Sequence, residues 1–161
     1  MPRTPRFCPS CARPLEPHAH AGRDRPACPD PECGYVFWDN PLPVVAALVE
    51  HEGRVILIQN KGWPESWFGL VTGFLERGET PEQGVLRELK EELSLDGEVA
   101  KLIGVYDFQQ RNEVIVAYHV CARGTISLGE ELAAYKAVEP EKLQPWPFGT
   151  GHAVRDWLAA R

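Results

Sequence analysis

The chain has 161 residues, of which 43% are hydrophobic and 25% are charged, and its formal net charge at pH 7 is -6. These values are typical of one folded domain with a small appendage and exclude a disordered chain. The acidic balance makes nucleic acid an unfavourable partner. No apolar run approaches the roughly 20 residues that a membrane span needs, so no membrane partner is expected. The lack of a signal-like apolar segment predicts a cytoplasmic protein.

The first 40 residues are rich in proline and cysteine and too poor in aliphatic side chains to form a core of their own. Cys8 and Cys11 form a C-x2-C pair, and Cys28 and Cys33 form a C-x4-C pair. Four thiolates at this spacing predict one tetrahedral Zn²⁺ in a closed, structural site. Free buried thiols and disulfides are the weaker alternatives. Residues 1–40 are therefore predicted to be a zinc ribbon.

The second predicted domain covers residues 41–161 and alternates strands with helices. Residues 44–49 and 55–58 are apolar runs that predict a hairpin of buried strands, and residues 69–74 predict a shorter extended piece. The remaining predicted elements are a helix over 81–94, strands over 99–108 and 114–121, short helical patterns in the last 30 residues and a final helix from Ala153 to Ala160. This order predicts an α/β fold with a mixed sheet. Cys121, which lies in an apolar run, is expected in the core.

The helix over 81–94 carries a cluster of acidic side chains on one face. Thr80 is suited to the N-cap and Pro81 to the first helical position. At 100° per residue, Leu86, Leu89 and Leu93 form an apolar stripe. Three carboxylates share a different face, namely Glu88, Glu91 and Glu92. Such a face is either solvated or holds hard divalent cations, which also bind phosphate oxygens.

The residues around this helix resemble the Nudix box, G-x5-E-x7-R-E-U-x-E-E-x-G-U, in which U is a bulky aliphatic residue. The match starts at Gly73 and Glu79, continues through Arg87-Glu88-Leu89 and Glu91-Glu92, and departs from the pattern only at Ser94, where the family has glycine. The resemblance implies a Nudix α/β/α sandwich preceded by the ribbon, and a pyrophosphohydrolase activity.

The resemblance also implies roles for individual residues. Glu88, Glu91 and Glu92 would hold Mg²⁺ or Mn²⁺ together with the Gly73 carbonyl, and Arg87 and Glu79 would orient them. The general base varies across the family, so Glu88, Glu91 or a later loop are open alternatives. Glu130 and Glu131 are the later-loop candidates, with a solvated turn as the alternative.

The ribbon followed by this box resembles the NADH pyrophosphatase branch of the family. The post-box motif of that branch, S-Q-P-W-P-F-P-x-S, is matched only in part by residues 144–148, which lie 49 residues beyond Leu95. That branch usually has a further N-terminal domain, of which we expect no counterpart here. The expected substrate is therefore a small nucleoside-diphosphate-linked molecule such as ADP-ribose, NADH or a similar dinucleotide. Trp67 and Phe68 are candidates for base stacking, with core packing or an interface as the alternative. Residues 109–112 are expected either to line the pocket or to form an exposed hairpin tip.

Two rival functions stay open. One is a non-catalytic ribbon and scaffold that binds protein or RNA, which the intact glutamates argue against. Its nucleic-acid contacts would come from five ribbon arginines, Arg3, Arg6, Arg13, Arg23 and Arg25. The other is a nucleotide-triphosphate pyrophosphatase with the same chemistry and a different pocket. A homodimer and a monomer are both open.

Overall fold

The computed structural model describes residues 4–161 and consists of two compact units, Met1–Pro41 and Leu42–Arg161. Of the ribbon arginines, Arg3 lies outside the described residues. No helix in the described part of the chain is long and apolar enough to cross a membrane.

The first unit is held by two cysteine turns and one hairpin. Strands β1 (Glu16–His20) and β2 (Arg23–Ala27) pair antiparallel. These strands were not predicted, because EPHAH and RDRPA lack alternating apolar residues. The turns that present the cysteines are closed by backbone hydrogen bonds, in which Ala12 donates to the Cys8 carbonyl and Cys33 donates to the Asp30 carbonyl.

The second unit is built on a six-stranded mixed sheet. Its elements are β3 (Leu42–His51), β4 (Arg54–Asn60), β5 (Val71–Phe74), α1 (Pro81–Leu93), β6 (Asp96–Phe108), β7 (Glu113–Arg123), β8 (Leu132–Val138) and α2 (Gly151–Ala159). The strand order is β6-β7-β3-β4-β8, with β5 also paired to β3. The β3–β7 pair is parallel, and the other pairs are antiparallel.

The sequence of strand β3 is apolar without interruption over residues 44–49 because both faces of the strand are buried. Alternate side chains of a strand point to opposite faces. Val45, Ala47 and Val49 pack in the cluster that contains Leu89 and Leu93 of α1. Ala46 and Leu48 pack on the other face, with Ala153, Val154 and Trp157 of α2. The sheet is covered by a helix on each face, which confirms the predicted α/β/α sandwich.

Two expectations from the sequence were wrong. Residues 132–138 form strand β8 instead of a helical segment, because pairing with β4 satisfies backbone groups that the alanine-rich sequence would otherwise bond within a helix. Cys121 is exposed, not part of the core. Val120 takes the inward-facing position, and Cys121 faces outward between its strand partners Glu50 and Glu98.

Candidate active site

Helix α1 starts and ends at well-defined caps. The Thr80 hydroxyl accepts a hydrogen bond from the Gln83 backbone, and the Gln83 side chain accepts one from the Thr80 backbone. This capping box sets where the helix begins, and therefore which face each later residue occupies. At the other end Ser94 adopts a left-handed conformation, with φ of 59°. That conformation accounts for the glycine that the Nudix box has at this position, since glycine adopts it without a steric penalty.

Arg87 organises the acidic face by using all five of its N–H groups. Its Nε donates to Glu79 Oε2 at 3.1 Å, and its Nη2 donates to Glu79 Oε1 at 2.8 Å and to the Phe74 carbonyl at 3.1 Å. Its Nη1 donates to Glu88 Oε1 at 2.7 Å and to Glu91 Oε2 at 3.1 Å. Hydrogen bonds from this guanidinium lower the pKa of Glu79 to about 2. Arg87 and Glu79 therefore fix the loop before α1 to the helix.

The Glu88 carboxylate lies directly against the Cα of Gly73. A Cβ atom at Gly73 would come within 1.9 Å of Glu88 Cδ and Oε1, a distance that real Cβ atoms do not show. Strand β5 brings Gly73 to this place by pairing it with Val45 of β3. Burial raises the pKa of Glu88, although the hydrogen bond from Arg87 opposes the rise. The space that the absent side chain leaves at Gly73 is therefore filled by a carboxylate.

Glu92 is the most buried acid of the site, with only 8% of its surface exposed. Its Oε2 atom is buried and has no hydrogen-bond partner among the described residues. Burial, reinforced by the charges of Glu88, Glu131 and Glu91, raises the pKa of Glu92 to about 8. A buried carboxylate oxygen without a donor is costly, and a bound cation would supply the missing partner.

The loop before β8 packs against the C-terminal end of α1. The Gly129 backbone N–H donates to the Glu92 carbonyl at 2.8 Å, and a Cβ atom at Gly129 would meet the Glu91 carbonyl oxygen at 2.4 Å. This close approach brings Glu130 and Glu131 to the rim of the cavity that contains Glu92. The two late-loop candidates and the three helix glutamates therefore share one site.

The site is a cavity of about 540 Å³. Its lining residues are Val44, Thr72, Gly73, Phe74, Glu76, Arg87, Glu88, Glu91, Glu92, Arg111, Glu113, Gly129, Glu130, Glu131 and Leu132. Of the active-site candidates proposed from the sequence, Glu79, Trp67 and Phe68 are absent from this lining. Trp67 is 56% exposed, and the Phe68 ring lies 3.7 Å from Lys136 Nζ.

Arg111 and Glu113 line the cavity. Arg111 lies in residues 109–112, which the sequence predicts to be either a pocket wall or an exposed hairpin tip, whereas Glu113 was not proposed from the sequence. Arg111 is the last residue of the short helical turn after β6, and Glu113 is the first residue of β7. The signal that could have found Glu113 is the parallel β3–β7 pair, which puts it beside Leu42 at one end of the sheet. A parallel crossover cannot be placed from local sequence alone.

The fit of these residues to metal ions differs between the two units. All four cysteine sulfurs lie within 4.8 Å of one another, as a single tetrahedral Zn²⁺ requires. Among the described residues no similar convergence involves the α1 glutamates, two of which are bound to Arg87. The unpartnered oxygen of Glu92 and the carboxylate seated at Gly73 nevertheless form an oxygen-rich site that suits a hard divalent cation.

Comparisons with known proteins agree with this geometry. Residues 40–157 match the family model described as the NUDIX domain. An ADP-ribose pyrophosphatase from Methanocaldococcus jannaschii is 38% identical over 130 residues, which cover 77% of this chain and 77% of that protein. An NAD-capped RNA hydrolase, NudC, from Vibrio atlanticus is 26% identical over 118 residues, 73% of this chain but only 42% of that protein. The crystal structure of a NUDIX hydrolase from Nitrosomonas europaea superposes with a TM-score of 0.75 at 25% identity, covering 86% of this chain and 80% of that one.

Proposed function

The chain belongs to the Nudix family, and from this premise we propose that residues 41–161 hydrolyse a pyrophosphate bond in a nucleoside diphosphate linked to another moiety. The proposed substrates are ADP-ribose, NADH or a similar dinucleotide, and the proposed product is a nucleoside monophosphate. The observation that carries the proposal is the buried, unpartnered carboxylate oxygen of Glu92 in a cavity lined by Glu88 and Glu91. The similarity to an ADP-ribose pyrophosphatase supports this substrate class.

In the proposed site Glu88, Glu91, Glu92 and the Gly73 carbonyl hold Mg²⁺ or Mn²⁺. Such ions polarise the phosphoryl group and lower the pKa of a bound water. Arg87 and Glu79 keep the glutamates in place, so that binding an ion requires little rearrangement of the helix. Glu88 sits against Gly73, which leaves its carboxylate a narrow range of positions.

The proposed base that accepts the proton of the attacking water is a carboxylate near these ligands. Glu91 is a candidate because 59% of its side chain is exposed toward solvent. Glu131 is the candidate from the late loop, since its charge contributes to the raised pKa of Glu92 and must therefore lie nearby. Glu130 and Glu131 are adjacent residues of the same loop. Glu130→Gln and Glu131→Gln each remove one carboxylate and keep the size of the side chain, so loss of activity in only one of them distinguishes a chemical role from a structural one.

In the first unit we propose one structural Zn²⁺ on Cys8, Cys11, Cys28 and Cys33. The site is closed, because four thiolates complete a tetrahedral shell and leave no position for water. Its proposed contribution is therefore to the folding of the first unit, in which few other side chains of the described residues 4–41 are buried.

A substrate panel tests the proposed activity. Wild-type protein and Glu92→Gln are assayed with ADP-ribose, NADH, FAD, dinucleoside polyphosphates and nucleoside triphosphates, with Mg²⁺, with Mn²⁺ and with EDTA. We expect the highest kcat/KM on a diphosphate-linked nucleoside, release of a nucleoside monophosphate, and loss of activity with EDTA or Glu92→Gln. The highest kcat/KM on a triphosphate would support the rival pyrophosphatase. No turnover of any compound by folded, metal-loaded protein would overturn the enzyme proposal.

A further inference from the structure

The cavity has an unusual charge balance for a site that binds an anion. Seven glutamates line it, whereas its basic lining residues are only Arg87 and Arg111, counted among the described residues. A diphosphate carries at least two negative charges, so it needs partners besides the metal ions. Arginine suits this role because its planar fork of donors matches phosphate oxygens.

Arg87 has no donor left for a substrate. Its five N–H groups are bound to two oxygens of Glu79, one oxygen each of Glu88 and Glu91, and the Phe74 carbonyl. An arginine has five N–H donors in total. Binding a phosphate would therefore require breaking a bond that fixes the metal-binding glutamates.

Arg111, unlike Arg87, is largely exposed and makes no hydrogen bond to its carboxylate partner. It ends the short turn between β6 and β7, and 68% of its side chain is exposed while it lines the cavity. Its ion pair with Glu113 spans 4.0 Å between Nη1 and Oε1, which is beyond hydrogen-bond distance. The guanidinium can therefore bind a ligand without losing a hydrogen bond to this carboxylate.

Glu113 is the carboxylate beside Arg111 at the cavity wall. Only 10% of its side chain is exposed, and its backbone is fixed by pairing with Leu42 and Phe108 on either side. Burial raises the pKa of Glu113, and the charge of Arg111 opposes the rise. The exposed guanidinium of Arg111 thus lies beside a buried carboxylate whose backbone is held between two strands.

We propose that Arg111 binds the phosphate group of the substrate that the α1 metal ions do not neutralise, with Glu113 as its positioning residue. The nature of the full substrate rests on the proposed function, whereas the phosphate contact does not depend on turnover. The ligand chemistry is a diphosphate, free or within a nucleotide.

The test measures binding and turnover separately. Methylenediphosphonate, a diphosphate mimic that water does not cleave, is titrated in the presence of Mg²⁺ into wild-type protein, Arg111→Ala, Arg111→Lys and Arg54→Ala. Arg54 is an exposed arginine at the start of β4 that does not line the cavity, so it controls for the loss of one positive charge. The same proteins, together with Glu113→Gln, are assayed for KM and kcat on the best substrate of the panel.

A charge-assisted contact of this kind predicts that Arg111→Ala weakens diphosphonate binding about 10- to 100-fold. For Arg111→Ala we expect KM to rise by a similar factor with kcat little changed. Arg111→Lys should restore part of the binding, and Arg54→Ala should match wild type. Glu113→Gln should raise KM less than Arg111→Ala does. Weakened diphosphonate binding without turnover of any substrate would retain the phosphate contact and reject the proposed function. Unchanged diphosphonate binding by Arg111→Ala would overturn the inference. Weaker binding of the nucleotide alone would overturn it equally, since Arg111 would then contact the nucleoside.

Discussion

Replacing Gly73 by alanine should disable the site while leaving the fold intact. The added Cβ atom would lie 1.9 Å from the Glu88 carboxylate, and any realistic contact exceeds 3.0 Å, so the carboxylate must shift by about 1 Å. The shift would strain or break the 2.7 Å hydrogen bond from Arg87 Nη1 to Glu88 Oε1. A misplacement of about 1 Å can cost about 10²-fold in rate, which corresponds to about 2.7 kcal/mol of transition-state stabilisation.

The assay is kcat/KM on the best substrate at increasing Mg²⁺, with thermal unfolding of the same samples. Gly69→Ala is the matched control, because a Cβ atom there meets the Trp63 ring at 3.4 Å, an ordinary contact. We expect Gly73→Ala to lose activity and to need more Mg²⁺, with Gly69→Ala near wild type. Full activity of Gly73→Ala at low Mg²⁺ would refute the assignment of Glu88 as a ligand held against Gly73.

Three further predictions concern charge, backbone and zinc. Because the pKa of Glu92 is raised, the free energy of unfolding of the metal-free protein should fall as pH rises from about 4.5 to about 8. Urea unfolding should show this fall in wild type, and Glu92→Gln should remove it. A free energy of unfolding that rises over this pH range in the wild-type protein would contradict the burial of Glu92. Ser94→Gly should stabilise by about 1 kcal/mol, seen as a higher Tm, because Ser94 holds a left-handed conformation; a lower Tm would contradict this. Cys8→Ser should lose bound zinc by metal analysis, whereas Cys121→Ser should keep it; zinc retained by Cys8→Ser would exclude Cys8 as a ligand.

The parts of the structure that sequence predicted well are those determined by local chemistry. Thr80, Pro81 and Gln83 define the start of α1, and the capping box forms as their order indicates. The apolar stripe of Leu89 and Leu93 is fully buried, because the 3.6-residue period puts it on the face toward the sheet. Once the start of the helix is known, the relative positions of its glutamates follow.

The parts that sequence did not predict depend on contacts between distant segments. Strand β8 exists because β4 needs a partner along its outer edge, and no local pattern in residues 132–138 indicates this. Cys121 is exposed because the pairing of β7 with β3 and β6 puts it on the face of the strand opposite to the buried Val120. Glu113 reaches the cavity because β7 runs parallel to β3, a pairing that joins residues about 70 positions apart.

Manganese located by anomalous scattering in crystals that also contain a bound diphosphate tests whether the α1 glutamates hold the metal ions of the reaction. We predict a Mn²⁺ peak about 2.1 Å from carboxylate oxygens of the α1 glutamates, with Glu92 Oε2 among its ligands. A diphosphate bound in the cavity with no ion on Glu88, Glu91 or Glu92 would contradict it.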